Sequence, residues 1–420
     1  MSTQTTQAIP AASAANAASA GRNLPRFGIG AGSQTPAGSG TDSGAVGENL
    51  DTPSDLSDLS DLSAEWRFSH QWELLELADG SLFFDSTIAN HRSVAKPSPA
   101  LRSALKLLDA APTTLPRLSE LVPQFGDAAS ARRVLAPLMR EGILVKNIGE
   151  RVPSWASPEL AERFSTQLEW MATLTSEPDD HWRLFERLRQ STVAVVGMGG
   201  AGSLVAQSLA AAGIGKLIIA DGDDVESSNL VRQVLYDVDD CAQPKADRMA
   251  ARLRRFTPFT EVDVRGTYVT SPEDAADVIA GADFVALCAD APRFVLNRWF
   301  DSACKAAAIP YIGALAGCVG PLYQPGRPGC FLCLEEQFRA ELGPRHDMVV
   351  DALASKESWR YPAFVAGPMS VAPIMTTEIV LALTGAVPPA TSGGMVRIHH
   401  PQATFEPVPV AEGCDCNRAS

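Results

Sequence analysis

The C-terminal half of this chain, from Ser191 onwards, predicts an α/β fold in which helices cover both faces of a parallel sheet. From Ser191 onwards, short apolar runs alternate with helical stretches, an alternation typical of parallel sheets. The runs are VAVVG, KLIIAD, DFVALCAD and IPYIGAL. The first run leads through a glycine-rich turn at residues 197–202 into an Ala-rich helix, and the second ends on Asp221. These features together predict a Rossmann-like, nucleotide-binding sheet.

Composition narrows the class of protein further. The 420 residues are 45% hydrophobic and 20% charged, which is ordinary for a globular chain with room for two or three domains. The formal net charge of −14 argues against a nucleic-acid partner. No basic region followed by an apolar run marks a signal peptide, and Pro373 and Glu378 interrupt the longest apolar segment, residues 369–387. We therefore expect a cytoplasmic protein with neither a nucleic-acid nor a membrane partner.

The chain divides by composition into four regions. Residues 1–63 are rich in Ala, Ser, Gly, Thr and Asp and end in the repeat DLSDLSDLS, so we expect a disordered low-complexity tail. The repeat could bind a partner as a short amphipathic segment, but an acidic tail without a further role is the simpler interpretation. The remaining regions are a small domain over 64–150, a helical connector over 151–190 and the sheet domain over 191–420.

Residues 64–150 predict a winged-helix-like α+β domain. Apolar residues flank the turn signal ADG at 78–80 and indicate a hairpin. Residues 98–111 and 127–142 have helical periodicity, and residues 144–152 follow them as a wing. The region holds ten acidic and ten basic residues, which leaves no basic face for DNA. We expect it to bind a peptide or protein, with a purely structural role as the alternative.

The turn Gly197-Met-Gly199-Gly200-Ala-Gly202 suits a phosphate. Glycines permit a tight turn and let phosphate approach the backbone, while the N-terminus of the following helix favours negative charge. Asp221 comes 24 residues after Gly197, where an acidic side chain can bind ribose hydroxyls. Up to this point the sequence fits a dinucleotide and ATP equally well.

Two further motifs distinguish between these nucleotides: SNLVRQ at residues 228–233 and QPK at residues 243–245. The order of glycine turn, Asp221, SNLxRQ and QPK resembles the ThiF/MoeB/HesA family of adenylating enzymes, which are related to ubiquitin-activating enzyme. The resemblance implies that Arg232 and Lys245 grip the phosphates of ATP and stabilise the departing pyrophosphate. The alternative is a pair of surface cations behind a dinucleotide motif. The implied ATP-binding residues are Gly197, Gly199, Gly200, Gly202, Asp221, Ser228, Asn229, Leu230, Arg232, Lys245 and Asp290.

Asp290 completes the implied catalytic set of Arg232, Lys245 and Asp290. It follows the third apolar run, where the family carries an aspartate that positions Mg²⁺ on the triphosphate. The family commonly has Asn after this aspartate, whereas this chain has Ala291, which removes one hydrogen bond to the ligand. A structural aspartate at a strand end is the alternative.

The segment RFSTQ at residues 163–167 resembles the family's RYxRQ segment, which reaches the ATP site of the partner subunit. The resemblance therefore implies a homodimer. Thr166 stands where the second arginine of that segment is expected. Arg163, or a neighbour such as Arg183 or Arg187, could take its place.

Four of the eight cysteines fall into two close pairs, Cys330 with Cys333 and Cys414 with Cys416. Four thiolates suit tetrahedral Zn²⁺, and clustered cysteines in a reducing compartment are more often ligands than disulfides. The family often carries CxxC twice at these places, so we expect a structural zinc that clamps the C-terminal extension of the sheet domain. Free thiols are the alternative. A closed site of this kind contributes stability and no chemistry.

Many relatives capture the acyl group on a cysteine in the loop after the first CxxC, but residues 334–413 contain no cysteine. Cys318 is the one spare nucleophile near the expected site, and its alternative role is that of a small buried apolar residue. A small winged-helix-like domain ahead of a ThiF-like domain resembles enzymes that modify ribosomally made peptides, in which such a domain binds the leader peptide. The leading hypothesis is therefore ATP-dependent adenylation of a ribosomally made peptide without a thioester intermediate. The alternatives are activation of a ubiquitin-like sulfur carrier of the ThiS or MoaD type, and a catalytically silent docking protein.

Overall fold

A computed structural model describes residues 63–69, 72–86, 91–147, 152–172, 174–175, 180–315, 317–355, 363–399 and 402–417. The predicted tail lies outside these residues apart from Ser63. The first group of elements is β1 (Glu65–Phe68), β2 (Trp72–Glu76), β3 (Leu82–Ser86), β4 (His91–Val94), α1 (Pro99–Ala110), β5 (Thr113–Thr114), α2 (Leu115–Leu121), α3 (Ala128–Arg140) and β6 (Leu144–Asn147).

These elements form two small antiparallel sheets around one helical core. β1 lies between β5 and β6, and β3 lies between β2 and β4. The predicted hairpin is confirmed: β2 pairs with β3, and Gly80 turns the chain with a φ of +80°. The predicted helices are confirmed as α1 and α3, whose N-caps are Ser98 and Asp127. β6 is the described part of the predicted wing, and residues 148–151 lie outside the described residues.

The second group of elements follows the connector. It comprises α4 (Pro158–Arg163), α5 (Ser165–Ala172), α6 (Asp180–Gln190), β7 (Thr192–Val196), α7 (Gly200–Ala211), β8 (Lys216–Ala220), α8 (Lys245–Phe256), β9 (Glu261–Arg265), α9 (Pro272–Ile279), β10 (Phe284–Leu287), α10 (Val295–Ala306), β11 (Tyr311–Leu315), β12 (Cys318–Tyr323), α11 (Phe331–Leu342), α12 (His346–Ala354), α13 (Ala366–Thr384), β13 (Gly394–His399) and β14 (Gln402–Pro407).

One eight-stranded sheet organises this group, in the order β14-β13-β12-β11-β10-β7-β8-β9. The strands from β11 to β9 are parallel, as predicted. The predicted parallel sheet does not account for β12, β13 and β14, which extend it by antiparallel pairing. Only residues 316 and 317 separate β11 from β12, too few for the crossover that a parallel neighbour needs. The sheet is therefore mixed.

The two faces of the sheet carry two apolar cores. Val193 and Val195 of β7 belong to the core that contains side chains of α7 and α13. Ala194 and Val196 belong to the core that contains side chains of α9 and α10. This alternation is the two-residue period of a strand buried on both faces. The carboxyl ends of β7, β8 and β10 are thereby held at one edge of a rigid layer.

Among the described helices, α13 is long and apolar enough by length and composition to cross a membrane. Pro373 and Glu378, which interrupt the apolar run in composition, both lie within this one continuous helix. Glu378 of α13 is buried and accepts hydrogen bonds from the backbone of Ala390 and Thr391 at 3.1 and 2.7 Å. Together with the packing of α13 on α7, these bonds are typical of a core helix of a globular domain.

Candidate functional site

The glycine turn joins β7 to α7 in a conformation that other residues could not adopt. Gly197 has a φ of +90°, and a Cβ there would lie 2.7 Å from the backbone nitrogen of Ala289. A Cβ on Gly202 would lie 1.7 Å from the carbonyl oxygen of Gly197. Gly199 caps α7 without a side-chain hydrogen bond, so the first N–H groups of the helix remain available to an anion.

The substitution Gly202→Ala tests this packing. Two backbone segments would have to move apart, and we expect the free energy of unfolding to fall by about 1–3 kcal/mol or more, the cost of overpacking. Urea denaturation of the full-length chain measures it. Gly367→Ala is the matched control, since a Cβ there has open space within α13 and should cost nothing. Equal stability of both variants would contradict the packing role of Gly202.

Asp221 ties the turn to the end of β8. Its Oδ2 accepts the backbone N–H of Met198 at 2.5 Å, and its Oδ1 accepts that of Asp223 at 2.8 Å. Burial raises the pKa of the Asp221 carboxyl, while the charge of Lys245 and these hydrogen bonds act in the opposite direction. The described contacts of Asp221 are thus structural, and its predicted contact with a ribose remains a prediction.

Lys245 is a buried cation at the first position of α8. Only 7% of its side chain is exposed, and its Nζ lies 2.7 Å from Asp223 Oδ2. The hydroxyl of Tyr268 donates to Asp223 Oδ1 at 2.9 Å. Burial opposes ionisation of Asp223, but the hydrogen bond and charge of Lys245, together with Tyr268, lower the pKa of its carboxyl. Asp223 and Tyr268 therefore hold the ammonium group in place, a role that the motifs do not indicate.

The SNLVRQ motif forms a capped turn between β8 and α8. Asn229 is buried, its Oδ1 accepts the N–H of Glu226 at 3.2 Å, and its carbonyl oxygen accepts the N–H of Arg232 at 3.0 Å. Ser228 is exposed, and Leu230 packs against the core on the α7 face. Arg232 donates from Nη1 to the carbonyl oxygen of Ser228 at 3.2 Å. It forms no ion pair with any described residue, so its charge is available to a ligand.

Gln233 is a residue of this turn for which the sequence pattern indicates no role. Its side chain is 3% exposed, and its Oε1 has no hydrogen-bond partner within the described part of the chain. Its Nε2 would lie 3.7 Å from a Cβ on Gly199. A buried, unpaired amide oxygen beside the glycine turn is a further candidate contact for a ligand at this site.

Asp290 lies three residues beyond β10, at the same edge of the sheet as the glycine turn. The adjoining residues touch that turn: Cys288 donates its N–H to the carbonyl oxygen of Val196 at 2.8 Å, and Ala289 lies against Gly197. The Asp290 side chain is exposed, and the described residues give it no ion pair. An exposed carboxylate at this edge fits the oxygen ligands that Mg²⁺ prefers.

The segment proposed to reach a partner subunit makes contacts within its own chain. Arg163 is exposed, and its guanidinium lies 5.3 Å from the centroid of the Phe256 ring. Arg183 pairs with Asp180 at 2.8 Å, and Arg187 donates to the carbonyl oxygen of Thr384 at 2.6 Å. Of the three arginines, Arg163 has the weakest hold on its own chain. A role across a dimer remains a prediction.

The four paired cysteines meet in one cluster. Their Sγ atoms all lie within 4.8 Å of one another, and the closest pairs are 3.6 to 3.7 Å apart. Tetrahedral zinc with Zn–S bonds of about 2.3 Å sets sulfurs about 3.8 Å apart. Cys330, Cys333 and Cys416 are buried, and Cys414 is half-buried. The donor set, spacing and burial fit a closed structural Zn²⁺ site.

The two cysteines nearest to the expected chemistry are poor nucleophiles. Cys318 lies in β12 with 4% of its surface exposed, and burial raises the pKa of its thiol, against the charge of Arg397. Cys288 lies beneath the glycine turn, and burial raises the pKa of its thiol to about 12. Neither thiol is set up to form a thioester.

Comparisons with known proteins agree with this geometry. The model of the ThiF family matches residues 169–418. The sulfur carrier protein ThiS adenylyltransferase of Escherichia coli is 35% identical over 153 residues, which cover 36% of this chain and 60% of that protein. The SAMP-activating enzyme E1 of Haloferax volcanii is 33% identical over 237 residues, covering 55% of this chain and 80% of that enzyme.

Solved structures of E. coli MccB have the same fold. A complex with MccA-N7isoASN has a TM-score of 0.68 at 19% identity, covering 84% of this chain and 99% of MccB. A structure of MccB with ATP has a TM-score of 0.67 at 18% identity, with the same coverage. The match covers 84% of this chain, more than the sheet domain over 191–420 alone, so the similarity in fold extends beyond the eight-stranded sheet.

Proposed function

This chain belongs to the ThiF family, and from that premise we propose that it adenylates a carboxylate with ATP. Its relatives include proteins named adenylyltransferases. One observation carries the proposal: the segment that packs against the glycine turn supplies a buried lysine, Lys245, and an arginine, Arg232, which has no ion pair among the described residues. A hydride-transferring site has no need of these cations, whereas a site that expels pyrophosphate does.

In the proposed reaction a carboxylate oxygen attacks the α-phosphorus of ATP. The bond from the α-phosphorus to the bridging oxygen breaks, pyrophosphate leaves with that electron pair, and an acyl-adenylate remains. The glycine turn around Gly200 admits the phosphates, and Arg232 and Lys245 offset their charge. Asp221 holds the ribose. Asp290 would hold Mg²⁺, which neutralises triphosphate charge when bound.

The proposed substrate is the carboxylate of a ribosomally made peptide. The similar MccB has been solved with MccA, and one such structure describes MccB as a Microcin C7 biosynthetic enzyme. The absence of cysteine from residues 334–413 and the burial of Cys288 and Cys318 favour an adenylate that reacts without a thioester.

Residues 64–150 are the proposed peptide-docking, winged-helix-like domain, ahead of the connector over 151–190 and the adenylating domain over 191–420. β2 is an edge strand and carries Leu75, which is 38% exposed beside the 42% exposed Leu77. An edge strand with exposed apolar side chains can pair with an extended peptide. A homodimer, with the segment 163–167 facing the partner's nucleotide, and a cytoplasmic location belong to the same proposal.

A sulfur-carrier protein of the ThiS or MoaD type is the second candidate substrate. Two relatives named as adenylyltransferases for ThiS and for molybdopterin synthase are each 35% identical to this chain, over 153 and 158 residues. A silent docking protein is the third possibility, and the retention of Arg232, Lys245 and Asp290 disfavours it.

ATP–pyrophosphate exchange with the full-length protein separates the three functions. We expect exchange when a short peptide with a free C-terminal carboxylate and a leader segment is added, because that carboxylate completes the reacting set. A purified sulfur carrier serves as the competing substrate, and the same peptide with an amidated C-terminus serves as the control. Exchange with the carrier alone would favour the second function, and exchange with neither would favour the third.

A further inference from the structure

A line of buried polar groups runs from the cysteine cluster into the sheet. Lys305 on α10 donates from Nζ to Cys330 Sγ at 3.2 Å and lies 2.8 Å from Asp301 Oδ2. Asp301 Oδ1 accepts the hydroxyl hydrogen of Tyr311 on β11 at 2.5 Å. The same hydroxyl oxygen accepts the N–H of Phe331, the first residue of α11, at 2.9 Å. These bonds connect α10 and β11 to the start of α11, next to Cys330, the first cysteine of the cluster.

The line is shielded from water. Asp301 is 1% exposed, Tyr311 2% and Cys330 0%, and 18% of the Lys305 side chain is exposed. Buried charges are retained only when they are paired, because desolvation of a lone charge costs more than it gains. Each polar group of this line has a partner, and the ammonium group of Lys305 is the one that contacts sulfur.

From this geometry we propose that Lys305 is a positioning residue of the metal site, whose ammonium group fixes the Cys330 thiolate and offsets charge on a four-thiolate zinc centre. Four thiolates around Zn²⁺ leave two net negative charges, and no described cation other than Lys305 makes a contact with one of the four sulfurs. Hydrogen bonds to ligating atoms orient the ligands and tune metal affinity. This inference rests on the proposed zinc site.

A simpler role for Lys305 would be to neutralise Asp301, four residues earlier on the same helix. The two roles differ in one respect. If Lys305 only neutralises Asp301, removing both charges together restores the wild-type zinc affinity. If Lys305 stabilises the Cys330 thiolate, zinc affinity stays low when both charges are removed. A double variant therefore distinguishes them.

The experiment measures zinc affinity of the full-length chain by competition with a chromophoric chelator. Lys305→Met should weaken zinc binding by about 10–100-fold, the usual effect of losing a hydrogen-bond partner of a ligand. Lys305→Arg should retain most of the affinity, and Asp301→Asn combined with Lys305→Met should stay weakened. Lys216→Met is the matched control, because Lys216 pairs with Glu261 at 2.7 Å on the same sheet, away from the cysteines. Wild-type affinity in the double variant would overturn the proposal.

A spectroscopic measurement reports on the thiolate itself. With Co²⁺ in place of Zn²⁺, the sulfur-to-cobalt charge-transfer band should shift in Lys305→Met and stay unchanged in Lys216→Met, because Lys305 donates to a ligating sulfur whereas Lys216 pairs with Glu261. If Lys305→Met does not fold, the double variant carries both measurements, since it buries no unpaired carboxylate. A wild-type chain that binds no zinc overturns the zinc site and this inference together. A zinc-binding chain whose affinity and band are insensitive to Lys305 overturns this inference alone.

Discussion

Arg232→Ala is expected to lower the rate of ATP–pyrophosphate exchange by about 10²–10³-fold, the usual cost of losing one group that stabilises developing charge. Among the described contacts, the Arg232 side chain makes one hydrogen bond, to the carbonyl oxygen of Ser228, so the fold should survive the substitution. The loss should appear mainly in kcat, because charge on the phosphates grows as pyrophosphate leaves. Exchange of labelled pyrophosphate into ATP, with saturating carboxylate substrate, measures it.

Arg254→Ala is the matched control for this experiment. Arg254 lies on α8, and its side chain donates to the carbonyl oxygen of Val262 at 2.9 Å. Like the Arg232 side chain, it therefore makes one hydrogen bond to a backbone carbonyl. It belongs to none of the adenylation motifs, and its loss should leave exchange unchanged. An Arg232→Ala variant with full exchange would rule out the proposed mechanism.

Loss of the metal is expected to destabilise the fold strongly. A structural zinc binds with about 10–16 kcal/mol in small domains, and each kcal/mol moves Tm by about 2–4 °C in a domain of about 150–250 residues. We therefore expect Cys416→Ser, or prolonged treatment with a strong chelator, to lower Tm by about 20 °C or more. Differential scanning calorimetry, paired with zinc analysis of the same samples, measures the shift.

Cys241→Ser controls for the change of a cysteine as such, because Cys241 is half-buried and lies outside the cluster. Its Tm should stay within about 1–2 °C of the wild type, as for an ordinary substitution that removes no special interaction. If Cys416→Ser bound as much zinc as the wild type and had the same Tm as Cys241→Ser, the cluster would not be the metal site.

The sheet domain could be predicted where the sequence carries local signals. The four apolar runs became β7, β8, β10 and β11 because a strand buried on both faces needs continuous apolar residues. β9 was not predicted, since its sequence EVDVR mixes charges with apolar residues at the edge of the sheet. The antiparallel addition of β12, β13 and β14 depends on a short connection and on long-range pairing, which local patterns do not record.

At the site, motifs identified single residues better than the contacts between them. The spacing within each pair, together with the family resemblance, predicted that Cys330 and Cys333 meet Cys414 and Cys416, and the structure brings the four together. The bond from Lys245 to Asp223 joins an α8 residue to the end of β8 and follows from the fold, so it could not be read from the motifs. The contact of Lys305 with Cys330 likewise needs α10 and α11 to be packed together.

The cysteine cluster also joins two distant points of the chain. Cys330 and Cys414 are 84 positions apart, and Cys333 and Cys416 are 83 apart. A tie across a loop of about 80–90 residues lowers the conformational entropy of the unfolded chain, by about 4–5 kcal/mol in the simplest estimate. α13, which packs on α7 and touches the glycine turn through Pro368, lies inside that loop. A bound metal would therefore hold the chain on both sides of α13 together during partial unfolding. α13 would then stay close to the nucleotide site and could pack against it again quickly.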